Sequence, residues 1–213
     1  MRVKALGSRV PTVVVASLAL VGLALGPASA AETPVDFDCQ AKPPIGSAQT
    51  LTLGAGVDAS APETVAAGGS FDVTLSAAPM TVPGSVGGYT VKTIKNIKLS
   101  APVPAHATLT GQSLSGGSGI GSGTPSVNVV GDSIVMTVPG PISGGRTFTL
   151  PTLRLGLRAG AAGDTVQTRL AGSSYGDPGL TFTATVPIVF VTVNVPTSCY
   201  PDPSPVLSST SIT

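Results

Sequence analysis

An all-β fold of antiparallel strands is what this sequence predicts, on three observations. Apolar residues alternate with polar ones along much of the chain, which puts one set of side chains in a core and the other in water. Gly and Pro, 27 and 20 of 213 residues, interrupt almost every stretch long enough for a helix, where neither is tolerated, and they suit turns. Two cysteines, Cys39 and Cys199, stand near opposite ends of the region beyond residue 30 and read as one disulfide joining the first strand to the last. Closing so long a loop restricts the unfolded chain by about 5 kcal/mol in the chain-entropy account.

The first thirty residues have a different character. Arg2, Lys4 and Arg9 precede an apolar run from Pro11 to Leu25, and Pro27-Ala28-Ser29-Ala30 supplies small residues for a peptidase. This order predicts a secretory signal peptide over 1–30, cleaved after Ala30, with an uncleaved N-terminal anchor as the alternative. The run is short for a hydrocarbon core of ~30 Å, so no transmembrane segment is expected after cleavage. Export implies an oxidising compartment, where a cysteine pair persists as a disulfide. Removal of the leader leaves eight basic against ten acidic residues, a balance that does not suit nucleic acid. Charged residues make up 10% of the chain, where roughly a quarter is usual.

The strands are expected as follows. Leu51 and Leu53 alternate with Thr; Phe71, Val73 and Leu75 with Ser70, Asp72 and Thr74; Ile134, Met136 and Val138 with Val135 and Thr137. Leu153, Leu155 and Leu157 alternate with Arg154, Gly156 and Arg158, and Leu180, Phe182, Ala184 and Val186 with three threonines. These are half-buried strands. Phe148 and Leu150 have the opposite parity to Leu153, so a bend or bulge is expected at Pro151-Thr152. Val91, Ile94 and Ile97 recur every three residues, which predicts a bulged strand over 92–99. Val186–Val195 is apolar on both faces and reads as a central strand, or else as an apolar surface offered to something outside. Gly111–Pro125, rich in Gly and Ser, reads as a flexible loop, and 201–213, with Pro201, Pro203 and Pro205, as a disordered tail. One domain over 31–200 is expected.

Several of these segments resemble bacterial immunoglobulin-like surface domains. Pro62-Glu63-Thr64-Val65-Ala66-Ala67-Gly68-Gly69-Ser70-Phe71-Asp72-Val73-Thr74-Leu75 is similar to their opening, in which a Gly-Gly turn feeds an alternating strand. Ile97–Ala105 and Val138–Leu150 resemble later strand-and-turn segments, so the likeness spans roughly 60–172 and rests on turn chemistry. It departs from antibody-type domains in having no Trp. The resemblance implies an immunoglobulin-like β-sandwich of about eight to ten strands with an adhesive or scaffolding role and no catalytic residues. It also implies one covalent candidate, an internal Lys–Asn bond between Lys92, Lys95 or Lys98 and Asn128 or Asn194, promoted by a buried carboxylate.

Motifs for other chemistries are missing from the sequence. No Walker A loop or dinucleotide fingerprint occurs, and neither Cys belongs to a CxxC pair. The lone His106 follows Pro104-Ala105 and reads as a loop imidazole. Asp36 with Asp38, or Asp58 with Glu63, are the candidate calcium donors, too sparse for six to eight oxygens. Eight aromatic residues give little material for a sugar-stacking cleft. No metal, cofactor or catalytic residue is therefore assigned. An LPxTG sorting signal and a lipobox cysteine are also missing.

The expectation is a secreted, non-enzymatic binding or structural module of the cell envelope or extracellular space, with an unidentified envelope partner. The first alternative is a carrier of a lipid or other apolar small molecule held between the sheets, since the core is rich in Val, Leu and Ala and poor in aromatics to fill it. The second is an enzyme of unrecognised type, with Asp and Arg154 or Arg158 in acid–base roles.

Overall fold

The computed structural model describes residues 32–44 and 46–213. The signal-peptide reading therefore lies outside the described residues. The strands in chain order are β1 (Thr33–Ala41), β2 (Gln49–Ser60), β3 (Thr64–Val65), β4 (Ser70–Ala77), β5 (Met80–Thr81), β6 (Ser85–Val86) and β7 (Tyr89–Thr90). Next come β8 (Thr93–Pro102), β9 (Ala107–Ser115), β10 (Ser126–Val130), β11 (Ser133–Val138), β12 (Ile142–Ser143) and β13 (Thr147–Phe148). The chain finishes with β14 (Thr152–Ala159), β15 (Thr165–Thr168), β16 (Leu180–Ile188), β17 (Val191–Pro201) and β18 (Ser208–Ile212). Among the described residues there is no helix.

The main sheet has 11 strands and follows the order β10-β11-β8-β16-β17-β1-β2-β4-β14-β9, with β12 added against β8. Its ladders are antiparallel throughout, and its two edge strands, β9 and β10, come into contact, so the sheet rolls back towards itself. An immunoglobulin-like sandwich divides its strands between two sheets; here the hydrogen bonds run in one continuous path. Cys39 and Cys199 sit directly opposite each other on β1 and β17, are wholly buried, and form the disulfide with Cα atoms 4.0 Å apart. The expected pairing of the two cysteine-bearing strands is therefore what holds the middle of the sheet together.

Alternation decides which face is buried. Phe71, Val73 and Leu75 on β4 meet Leu153, Leu155 and Leu157 of β14 in direct register, and all six are buried. With Val35, Phe37 and Cys39 they form one core cluster. A second cluster gathers Val82, Val91, Ile94, Ile97, Met136, Val138, Ile142, Phe148 and Leu150 toward the other end of the strands. The parity change at Pro151 lies between the two: Phe148 and Leu150 enter the second cluster, while Leu153 onward enter the first. The three-residue spacing of Val91, Ile94 and Ile97 has a local cause. Asn96 has φ +53° and hands its N–H to the Pro139 carbonyl, which consumes one residue and returns Ile97 to the core.

Three expectations are corrected. The C-terminal segment is ordered: β18 lies between β15, antiparallel, and β3, parallel, with Leu207, Thr210 and Ile212 buried. The Thr210 hydroxyl donates to the Pro62 carbonyl at 2.7 Å. Beyond the prolines at 201, 203 and 205 the chain returns to pair with β15 and β3. The Gly/Ser-rich stretch is also packed. A Cβ at Gly119 would come within 2.7 Å of the Thr147 carbonyl oxygen, one at Gly121 within 2.6 Å of Gly140, and Ser118 exchanges backbone hydrogen bonds with Thr149. Its glycines allow two loops to touch. Finally, Val186–Val195 is two strands: β16 and β17 form a hairpin that turns at Val189-Phe190.

A candidate apolar-ligand chamber

Between the two core clusters lies a cavity of about 780 Å³. Its walls come from successive inward positions. β16 contributes Leu180, Phe182, Ala184, Val186 and Ile188; β2 contributes Leu51, Leu53, Ala55 and Val57; and β8 contributes Ile94, Ile97 and Leu99. The segment from Ala77 to Val91, together with Phe148 and Leu150, closes the far side. The period-two pattern explains the chemistry of the wall: every second residue of three long strands faces inward, and nearly all are aliphatic. Small residues explain the space. Ala55, Ala77 and Ala184 stand where larger side chains would fill the volume, and only five Phe exist in the whole chain.

The wall has a gap. β2 pairs with β1 along Gln49–Val57, but on its other edge it meets β4 only through Val57–Ser60. Ala78 donates to the Gly56 carbonyl at 2.9 Å, and beyond that point the two backbones part. Residues 49–55 of β2 thus face the Pro79–Val82 segment across the chamber without a ladder. Ionisable groups on the lining are few. Glu32 and Asp36 lie on the β1 side, and Tyr89, 52% exposed, lies at the opposite end. Interiors pack as densely as organic crystals, so an apolar space of this size is unlike ordinary packing voids. It falls within the range of about 300–1,000 Å³ typical of small-molecule sites.

Apart from Asp36, the other candidate groups lie outside the chamber. His106, at φ +62°, is an exposed turn residue whose Nδ1 is 3.2 Å from the Asp164 carboxylate. Arg154 binds Asp72 at 2.7 Å on the outer face of β14 and β4, with both side chains about half exposed. Arg158 donates to the Gly68 carbonyl. Neither arginine reaches a cleft. Asp36, Asp38, Asp58 and Glu63 do not converge: no group of three or more His, Cys, Asp or Glu residues suited to a metal exists among the described residues. The Tyr200 phenol, stacked edge-on to Tyr175 at 5.2 Å, titrates above its ordinary 10.0, through desolvation first and then the nearby Asp38 carboxylate.

The Lys–Asn bond also lacks its setting. No carboxylate is buried among the described residues, and the Asn194 side chain accepts from the Thr185 hydroxyl at 3.5 Å on the exposed face of the hairpin. Lys92, Lys95 and Lys98 lie on or beside β8, the first and last exposed.

No helix among the described residues is long and apolar enough to cross a membrane. No family model matches the chain, and no curated protein does. Among solved structures, it is similar to the crystal structure of a "putative membrane anchored protein" from Corynebacterium diphtheriae, with a TM-score of 0.59 and 16% identity over 86% of this chain. The chain spans 38% of that protein's length. This likeness is one of fold; the buried disulfide, separately, suits an oxidising compartment.

Proposed function

We propose that this chain is an exported, non-enzymatic binding protein of the cell envelope that holds an apolar small molecule, of the lipid class, in the chamber between β2, β8 and β16. The observation that carries the reading is the chamber itself: about 780 Å³ of aliphatic wall, open along an unpaired strand edge. Such a space favours a guest of hydrocarbon character, because each methylene moved from water into it contributes about 0.8 kcal/mol. The plainer reading is a structural or adhesive module of the envelope without cargo, and the fold neighbour's description as a "putative membrane anchored protein" is consistent with it.

Titration with a fluorescent polyene fatty acid tests the proposal. The expected result is saturable uptake of one probe per protein, competed by unlabelled fatty acid. A signal that rises without saturation, or no signal at all, overturns the chamber reading and leaves the structural module.

A further inference from the structure

The β16–β17 hairpin ends in the two most exposed large apolar residues described, Val189 and Phe190, 87% and 97% exposed; Val191 follows at 62%, level with Val130 at the β10–β11 turn. The hairpin outruns the β1 and β8 ladders, with β7 lying against its β16 arm. β8 pairs with β16 no further than Thr185, and β1 pairs with β17 no further than Thr197, so the last four residue steps of each arm, roughly 13 Å, extend past them. Ile188 and Val186, at the root of this tip, line the chamber, whereas Val189, Phe190 and Val191 do not. The apolar tip and the chamber therefore share one end of the molecule.

Charge is divided between the two ends of the rolled sheet. Antiparallel order puts the segments 42–44, 46–48, 78–92, 116–125, 139–151 and 189–190 at the hairpin end. None of these contains Asp or Glu, and they carry Lys42, Lys92 and Arg146, all exposed. The Lys42 and Lys92 backbone N–H groups donate to the Pro196 and Thr185 carbonyls, which fixes both residues beside the hairpin, and Arg146 is tied by its carbonyl to Val82 on the chamber wall. At the opposite end the loops carry Glu63, Asp132, Asp164, Asp177 and Asp202. A protruding apolar tip, backed by cations from three separate loops and free of carboxylates, is complementary to the headgroup region of an anionic bilayer. Chain-local charge runs do not reveal this collar, because the fold assembles it from positions 42, 92 and 146.

We propose that this end docks on an anionic lipid bilayer, with Val189, Phe190 and Val191 entering the interface and Lys42, Lys92 and Arg146 meeting the headgroups. The inference rests on the chamber reading in one respect: docking here brings the open edge of the chamber to the surface from which an apolar guest is loaded or to which it is delivered.

The test is co-sedimentation of the protein, as its own cells process it, with vesicles of phosphatidylglycerol and phosphatidylcholine, and with phosphatidylcholine alone. The expected result is binding to the anionic vesicles that weakens as salt is raised. Phe190→Ser weakens it by about tenfold or more, and neutralising each of the three cations by about fivefold. Since the chain has no Trp, Phe190→Trp is a sole reporter, and its emission shifts to the blue with anionic vesicles. Failure of the unaltered protein to sediment, equal sedimentation of Phe190→Ser, or an unshifted Trp overturns the proposal. Fatty-acid uptake without vesicles separates the two readings, because Phe190 touches no chamber wall. Phe190→Ser keeps that uptake, and a protein that takes up no probe yet sediments through its tip refutes the cargo alone.

Discussion

Replacing Ala184 by Phe places a ring in the middle of the chamber. Ala184 is buried on β16, faces inward between Phe182 and Val186 in alternation, and sits across from Val195 on one side and Ile94 on the other. In a filled core, forcing in a ring costs about 1–3 kcal/mol through displaced side chains. In a space of about 780 Å³ the ring has room, and stability is unchanged or rises by about 0.5–2 kcal/mol. Ligand affinity moves the other way. In the unaltered protein each added methylene tightens binding about fourfold while room remains, so four methylenes give roughly 200-fold. The ring takes the place of several methylenes, so the variant's gain with chain length stops earlier, and the longest acids bind about tenfold to a hundredfold more weakly. Denaturant unfolding measures the first effect, and competition against a fluorescent fatty acid across chain lengths measures the second. A variant that is destabilised by about 1–3 kcal/mol and binds every chain length as before would refute the reasoning, since the space would then be neither empty nor the site.

Three further expectations concern the fold. Reducing the Cys39–Cys199 bridge, or replacing both cysteines by Ala, lowers stability by about 5 kcal/mol in the chain-entropy account, read from denaturant midpoints with and without reductant. Ile212→Ala costs about 2–5 kcal/mol because Ile212 is 3% exposed between β15 and β3, while a loose tail would show no change in melting temperature. Gly121→Ala destabilises by at least about 1–3 kcal/mol, because its φ of +82° and the Gly140 backbone at 2.6 Å both exclude a Cβ. Gly84→Ala, with open space around it, leaves the thermal midpoint in place and serves as the control.

Where one face of a strand is buried and the other wet, alternation alone made the element legible, as at β4, β11 and β14. The bend at Pro151 and the bulge before Ile97 were legible for the same reason, because a break in parity has to be absorbed by the backbone. Two kinds of feature were not. Gly119 and Gly121 look like a flexible run until the loop carrying Gly140 is seen against them: close approach and mobility both select glycine. In the C-terminal segment, three prolines masked the inward alternation of Thr210 and Ile212, whose partners lie some 150 residues away in sequence at Pro62 and Val65. The shortage of large side chains pointed to a loosely filled core. The chamber's position depended on where β2 parts from β4, a long-range pairing event that no local pattern records. The cationic collar of Lys42, Lys92 and Arg146 was hidden in the same way.

Native mass spectrometry of the protein isolated from its own cells, repeated under denaturing and non-reducing conditions, tests the central claim most directly. The account predicts a native mass above that of the polypeptide, an excess that denaturation releases as an apolar molecule, and a remaining chain two hydrogens lighter than its reduced form. A native mass equal to that of the bare, disulfide-bonded chain, from protein that also takes up no fatty acid, would contradict it.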